Sequence, residues 1–262
     1  MASSTAVLLT CLLAILSPVW CYPLQANATR DTEGSGLISE DPDDPDDPEL
    51  MDGDIVVPSG LQNADPSVCL WWRDGKTGRV TIPYYFGYPY TRFQRAEIMG
   101  ALGIFTRNGC VFFEHHDKPI KKGDHLVITS KHKCWSHLGR KGGRQMISIN
   151  KDKGVTFPII LHLAMHALGF RHEHQRSDRD QHIRINYNNI IKGREDDFKK
   201  VETDNLNAPY DYHSVMQYPG LFLSRNGRPT MVPIPDSRVP MGQAVTISFM
   251  DLAKVRNLYC KY

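Results

Sequence analysis

The tightest constraint on this 262-residue chain is the spacing of three histidines, His162, His166 and His172, around one glycine, Gly169. Residues four apart on a helix share a face, because 3.6 residues per turn nearly superposes i and i+4. His162 and His166 therefore project together from a helix that starts near Pro158, where a missing amide hydrogen costs little. Gly169 supplies the positive φ that stops such a helix and turns the backbone back. The turn brings His172 toward the same point in space. Three imidazoles around one point, with no cysteine in the stretch, fit a catalytic-type zinc site that keeps a position open. Structural zinc sites are instead closed by four ligands, often thiolates. A histidine pair on an apolar helix would alone be two satisfied core residues; the glycine and third histidine at these offsets favour the metal.

In helical zinc motifs of this kind the residue after the first histidine is a glutamate, the general base. Here it is Leu163. Leucine neither takes nor returns a proton, and residues 161–171 contain no acid. General acid–base assistance is worth about 10² to 10⁴ in rate, so its loss adds roughly 3 to 5 kcal/mol to the barrier.

Residues 1–21 carry no charged side chain and include an apolar run, 6–16, ended by Ser17 and Pro18. That run is too short for a bilayer, where about 20 residues are needed, and fits the core of a signal peptide cleaved after Cys21. No other segment is apolar enough to cross a membrane, so a secreted, extracellular protein is expected. Of six cysteines, Cys11 and Cys21 leave with the signal peptide. Cys69, Cys110, Cys134 and Cys260 remain, an even number suited to two disulfides in an oxidising compartment, with three connectivities open. Asn27-Ala28-Thr29 is a glycosylation sequon.

The formal charge of +2 hides a division. Residues 22–62 hold eleven acids against one base, whereas 63–262 hold thirty Lys and Arg against eighteen acids. Such a basic body favours anionic extracellular partners, among them acidic glycoproteins, glycosaminoglycans and membrane surfaces. No nucleic-acid motif accompanies it, and nucleic acid is not an expected partner. The leader's stretch 22–50 is rich in Pro and Asp and too poor in apolar residues to order itself. Residues 51–56 depart from that composition, and their Gly53-Asp54 pair reads as a turn. In front of a zinc site it has a sharper reading, a carboxylate that occupies the open metal position.

From residue 79 the pattern is α+β. Residues 79–86 alternate as a strand, and 91–106 read as a helix with Ile98, Leu102 and Phe105 on one face. Short β-rich runs follow at 111–113, 126–129 and 145–149, the last after a glycine-rich loop. Beyond Asp180 the chain is irregular until a helix that Ser248 and Asp251 cap and that ends near Tyr259.

The run His172-Glu173-His174-Gln175-Arg176-Ser177-Asp178-Arg179-Asp180 makes the likeness specific. With Gly139-Arg140, Gly142-Gly143-Arg144-Gln145, Pro209-Tyr210-Asp211-Tyr212 and Ser214-Val215-Met216-Gln217-Tyr218, the chain resembles the astacin family of secreted zinc endopeptidases, which are metzincins. The likeness covers about residues 50–260 and is greatest to the hatching-enzyme branch. It implies an α+β, metzincin-like fold. An N-terminal twisted sheet would carry two long helices, the zinc-site helix among them, and the irregular C-terminal half would end in a helix. It implies Zn²⁺ on His162, His166 and His172, Met216 in the turn beneath the metal, and Tyr218 as a further zinc ligand and transition-state stabiliser. It also implies a zymogen: signal peptide 1–21, acidic propeptide 22–62 with Asp54 as the switch on the metal, and metalloprotease domain 63–262. The freed N-terminus would then pair with Glu173.

The chain departs from the family at several places. Gln62 stands where a basic residue usually precedes the cleavage point, and Gln217 replaces the usual histidine of the Met-turn. The family's pairs imply a Cys110–Cys260 disulfide. The usual partner of Cys134 aligns with Gly154, and a Cys69–Cys134 bridge would balance the count. Leu163 occupies the general-base position. The expected function is therefore a zinc-binding family member that cleaves or binds extracellular, egg-coat-type proteins, with hydrolysis lost or strongly reduced. The alternative is an active endopeptidase that runs on zinc and Tyr218 without a glutamate.

Overall fold

A computed structural model describes residues 48–56 and 70–260. The expected signal peptide, the sequon, most of the acidic leader, the expected cleavage region and Cys69 lie outside the described residues. Two short strands of the leader come first, β1 (Leu50–Met51) and β2 (Ile55–Val56). The alternating stretch forms β3 (Val80–Phe86), with Val80, Ile82 and Tyr84 turned into the core. After it comes α1 (Arg92–Asn108), which starts where Thr91 and Gln94 exchange capping hydrogen bonds and buries Ile98, Ala101, Leu102 and Phe105. Strands β4 (Val111–His115), β5 (His125–Thr129), β6 (Trp135–Ser136) and β7 (Arg144–Ser148) follow.

These strands join in one sheet, ordered β1-β2-β6-β7-β5-β3-β4. Strands β4, β3, β5 and β7 run parallel, and β6 pairs antiparallel with β7. Parallel neighbours need crossovers, and α1 supplies the one between β3 and β4. Without the leader, β6 would be an edge strand with unpaired backbone groups. The leader covers it: β2 adds in parallel, Ile55 opposite Ser136, and β1 folds back on β2.

The zinc-motif helix is α2 (Phe157–Ala167), with Pro158 in its first turn and every residue from Ile160 to Ala167 buried. A helix apolar all round belongs inside a core, and α2 packs against α1 and β6. Its last carbonyls, which no intrahelical donor reaches, are met from elsewhere in the chain. Gly139 N–H donates to His166 O at 2.8 Å, Trp71 Nε1–H to Ala167 O at 2.8 Å and Tyr259 O–H to Leu168 O at 2.9 Å. Gly169 takes φ 97°, the turn its position demands.

Beyond α2 the chain runs through short 3₁₀ turns and one small antiparallel pair, β8 (Ile183–Ile185) with β9 (Met231–Pro233). Around that pair Ile183, Ile190, Phe198, Tyr210, Met231 and Met241 form a second core. The chain closes with α3 (Phe249–Tyr259), capped by Ser248 and Asp251. No helix among the described residues is long and apolar enough to cross a membrane. The expected α+β, metzincin-like architecture is the one observed.

Cys110 and Cys260 form a disulfide that ties the end of α3 to the loop after α1. The Cys69–Cys134 bridge is corrected: Cys134 is a free thiol. A β-carbon built on Gly154 would lie 2.4 Å from Cys134 Sγ, so the two positions adjoin but the second carries no sulfur.

The first turn of α3 also fastens the loop that lies against α2. Asp251, fully buried, accepts hydrogen bonds from Ser214 Oγ at 2.6 Å, Val215 N at 3.0 Å and Ser248 N at 3.2 Å. Asp251→Ala strands these donors and removes half of the helix cap. Urea unfolding should show a loss of about 3 kcal/mol; a change within about 0.5 kcal/mol, the surface range, would contradict this role.

Candidate metal centre

The structure brings His162, His166, His172 and Asp54 together, with one ligand atom from each within 4.8 Å of every other. Two histidines stand on α2, the third follows the Gly169 turn, and Asp54 arrives from the leader. Asp54 Oδ2 lies 2.6 Å from His162 Nε2, and its Oδ1 lies 3.3 Å from His166 Nε2 and 3.2 Å from His172 Nε2. Atoms tetrahedrally placed about 2 Å from one ion stand about 3.3 Å apart, so the set has the right dimensions for a shared cation.

The ring orientations are fixed from behind. His162 Nδ1 pairs with Val215 O at 2.7 Å and His166 Nδ1 with Phe170 O at 2.8 Å. A carbonyl only accepts, so both Nδ1 atoms carry a proton, and Nε2 is the atom each ring turns toward the metal position. The buried Nε2 atoms of His166 and His172 and Oδ1 of Asp54 have no hydrogen-bond partner. Buried polar atoms left this way are costly, and a cation would satisfy all three. Three nitrogens and one carboxylate oxygen are zinc donors by type.

Burial pushes the Asp54 carboxyl up, but the charges of His172, His166 and His162 outweigh it and hold it well below the usual carboxylate range. Burial lowers His172 to about 4, against the pull of Asp54, and also lowers His166. Neutral imidazoles are the form that binds metal. Burial opposes charge on His162 too, but Asp54 overcomes it there and the net shift is upward.

Tyr218 donates from its hydroxyl to Asp54 Oδ2 at 2.9 Å, and its ring lies 4.5 Å from the His172 ring. Met216 is buried, its carbonyl accepting from Glu173 N at 2.9 Å. Gln217, the departure from the family's histidine, is engaged at both ends: its Oε1 accepts from the Tyr210 hydroxyl and its Nε2 donates to Tyr218 O. Leu163 is 1 % exposed and belongs to the main core.

Glu173, expected to pair with the freed N-terminus, has two cations against it here. Lys254 Nζ lies 2.5 Å from its Oε2, Arg176 Nη1 lies 3.0 Å from Oε1, and Asp211 N–H also donates to Oε1. Sequence reasoning singles out neither cation, nor the Val215 and Phe170 carbonyls, nor Asp52 and Arg171 beside the metal. The capping pattern at Ser248 signals Asp251 as a cap but not as the acceptor for Ser214. For the others no local pattern exists, because they act through contacts between distant segments.

Comparison with known proteins agrees with this geometry. Residues 72–260 match the model of the peptidase family described as Astacin. Over 215 residues the chain is 39 % identical to high choriolytic enzyme 2 of Oryzias latipes, a match that covers 80 % of this chain and 75 % of that protein. It is 40 % identical over 212 residues to the astacin-like metalloendopeptidase of Gallus gallus, covering 80 % of this chain and 51 % of that one. The solved structure of high choriolytic enzyme 1, a hatching enzyme zinc-protease from Oryzias latipes, superposes with a TM-score of 0.69 at 40 % identity, covering 76 % of this chain and 98 % of that one. A chain with this histidine cluster, this fold and these relatives belongs to the astacin family of zinc metalloendopeptidases.

Proposed function

We propose that this protein is a secreted, latent astacin that holds zinc on His162, His166 and His172 and binds polypeptide in the adjoining cleft, with peptide hydrolysis lost or strongly reduced. One observation carries the last clause. Among the described residues the only carboxylate in the histidine cluster is Asp54, and Asp54 belongs to the leader. Once residues 22–62 are removed, the cluster has no acid. Glu173 does not replace it, being held by Lys254 and Arg176, and the general-base position is Leu163.

The hairpin supports latency. It adds two strands to edge strand β6 and sets Asp54 where a polypeptide's carbonyl would approach the metal. Cleavage near Gln62 would release it. Beside Glu173 a cavity of about 530 Å³, lined also by Lys254, Met216 and Leu258, offers room for the new N-terminal ammonium. The uncharged run 6–16 supports secretion. The basic body supports anionic extracellular proteins as partners, and the names of the relatives, choriolytic and hatching enzymes, point to egg-coat-type proteins first.

Zinc bound at this site supplies a Lewis acid. The chain's own residues position the rest. His166 and His172 present neutral nitrogens, and Tyr218, freed from Asp54, turns its hydroxyl to an oxyanion on a bound peptide. No side chain remains to take the proton from an attacking water or return one to a leaving amine. The competing reading, an endopeptidase that manages on zinc and Tyr218, draws its support from that hydroxyl's placement beside the metal cluster.

Metal analysis of the cleaved protein should find close to one zinc per chain. Saturating zinc at 100 times Kd should raise stability by about 2.7 kcal/mol, a gain that a chelator reverses. Digestion of a denatured protein separates the two readings. Leu163→Glu should exceed the natural sequence by about 10² to 10⁴ in rate; chelator-sensitive turnover by the natural sequence at the variant's rate would falsify the pseudoenzyme reading. In the uncleaved chain, Asp54→Ala should expose the leader, seen as faster clipping of residues 48–56 by an added protease. Clipping at the natural rate would remove Asp54 as the switch.

A further inference from the structure

The leader enters the sheet from a definite end. Strand β1 runs antiparallel to β2, β2 parallel to β6, and β6 antiparallel to β7, so β1 points the same way as β7. The chain ahead of Leu50 is therefore directed to the end of the sheet where β7 begins, at Arg144. Strand β5 begins at the same end, with His125 opposite Arg144.

That end is cationic. Two loops meet there, 121–124 ahead of β5 and 139–143 ahead of β7. Gly143 N–H donates to Asp124 Oδ1 at 2.6 Å, and His125 N–H to Gly143 O at 3.0 Å. Lys121, Lys122 and Lys141 stand on these loops with Arg144 beside them, all four exposed. The acid of the two loops, Asp124, is already taken, with Arg140 Nη1 2.6 Å from its Oδ2. Among the described residues none of the four cations is ion-paired. Arg144 Nη2 instead meets the sulfur of Met146 at 3.8 Å. Cations gathered without an intervening acid make a field that attracts a polyanion.

The sequence just ahead of the hairpin is such a polyanion. Glu40, Asp41, Asp43, Asp44, Asp46 and Asp47 stand within 40–47, a run that holds no base. At about 4.8 Å per strand, β1 lies about 14 Å from β7 and about 19 Å from β5. Seven residues reach at most about 25 Å, so the run 41–47 is long enough for both loops.

We infer that the acidic run 40–47 docks on Lys121, Lys122, Lys141 and Arg144 in the uncleaved chain. The leader then covers two separate surfaces, the metal cluster with Asp54 and a cationic end of the sheet with its acidic run. Removal of the leader uncovers both together and leaves the cationic end open to an anionic partner. The inference rests on the reading of residues 22–62 as a leader.

Two measurements on the full uncleaved chain test it, and neither depends on whether hydrolysis ever follows. The first couples touching carboxylates and amines with a zero-length carbodiimide. Peptide mapping should find the run 40–47 joined within one chain to Lys121, Lys122 or Lys141. It should not be joined to Lys153, which follows β7 at the opposite end of the sheet. Coupling to Lys153 as readily, or coupling only between chains, overturns the docking. The second follows acetylation of individual lysines by mass spectrometry. Glu40→Gln together with Asp→Asn at 41, 43, 44, 46 and 47 should speed modification of Lys121, Lys122 and Lys141 about fivefold, because exposed ion pairs are each worth little and act here as a set. Lys153 should react as before. Salt at about 1 M, where the Debye length is about 3 Å, should produce the same rise in the natural sequence. Unchanged lysines, or an equal rise at Lys153, overturn the docking. Failure of the latency reading looks different: Asp54→Ala then leaves clipping of residues 48–56 unchanged, whatever the lysines show.

Discussion

The metal centre depends on the 2.7 Å contact between His162 Nδ1 and the carbonyl of Val215. Helix α2 brings His162 and His166 to one face, but a helix does not set the rotation of an imidazole about its own bonds. The Val215 carbonyl does, and through it the tautomer. Val215 is in turn held by Asp251, which accepts from its N–H and from Ser214 Oγ. A metal ligand in one segment is thus oriented by a loop some fifty residues later, and that loop is anchored by the first turn of the last helix. The order of the chain explains the order of dependence: the irregular half supplies few regular elements, yet it decides whether the regular half presents its lone pairs inward.

The leader exploits the same frame by a different kind of force. Strand β6 is two residues long, and it pairs with the hairpin, Ser136 N–H donating to Asp54 O at 2.9 Å. Main-chain pairing of this sort carries little side-chain information, which lets one strand receive either the leader or another polypeptide. The parallel pairing of β2 with β6 sets the direction of the leader along the cleft, and the tight turn at Asp52 and Gly53 aims its two side chains at different partners.

Much of this is legible in the chain alone. Local signals place the helices close to their ends: the spacing of Ile98, Leu102 and Phe105 for α1, Pro158 with Gly169 for α2, and Ser248 with Asp251 for α3. The three histidines and Asp54 converge as their spacing and resemblance imply. The β-hairpin of the leader reads only as a turn, because two-residue strands have no periodicity to detect and form only against β6. The small β8–β9 pair escapes for the same reason, its partners lying almost fifty residues apart. The resemblance gives Glu173 an external cation, and the structure adds two from within, Lys254 and Arg176. Burial makes some cation obligatory for such a carboxylate, but only the three-dimensional arrangement names it. The Cys69–Cys134 bridge comes from counting, and counting does not see that Cys134 rests against a glycine.

Leu163 is best understood in that light. The site's structural supports are complete: two ring tautomers fixed by carbonyls, a buried methionine turn, Tyr218 beside the cluster and a leader shaped to the cleft. None of these touches proton transfer, and proton transfer depends on none of them. A glutamate at 163 contributes to rate alone, whereas each histidine contributes to metal affinity and, through zinc, to folding stability. A leucine at 163 therefore leaves every other interaction of the site intact, and it adds apolar area to a core that α2 already fills on all sides. Metal binding, leader recognition and polypeptide recognition are physically separable from hydrolysis in this fold.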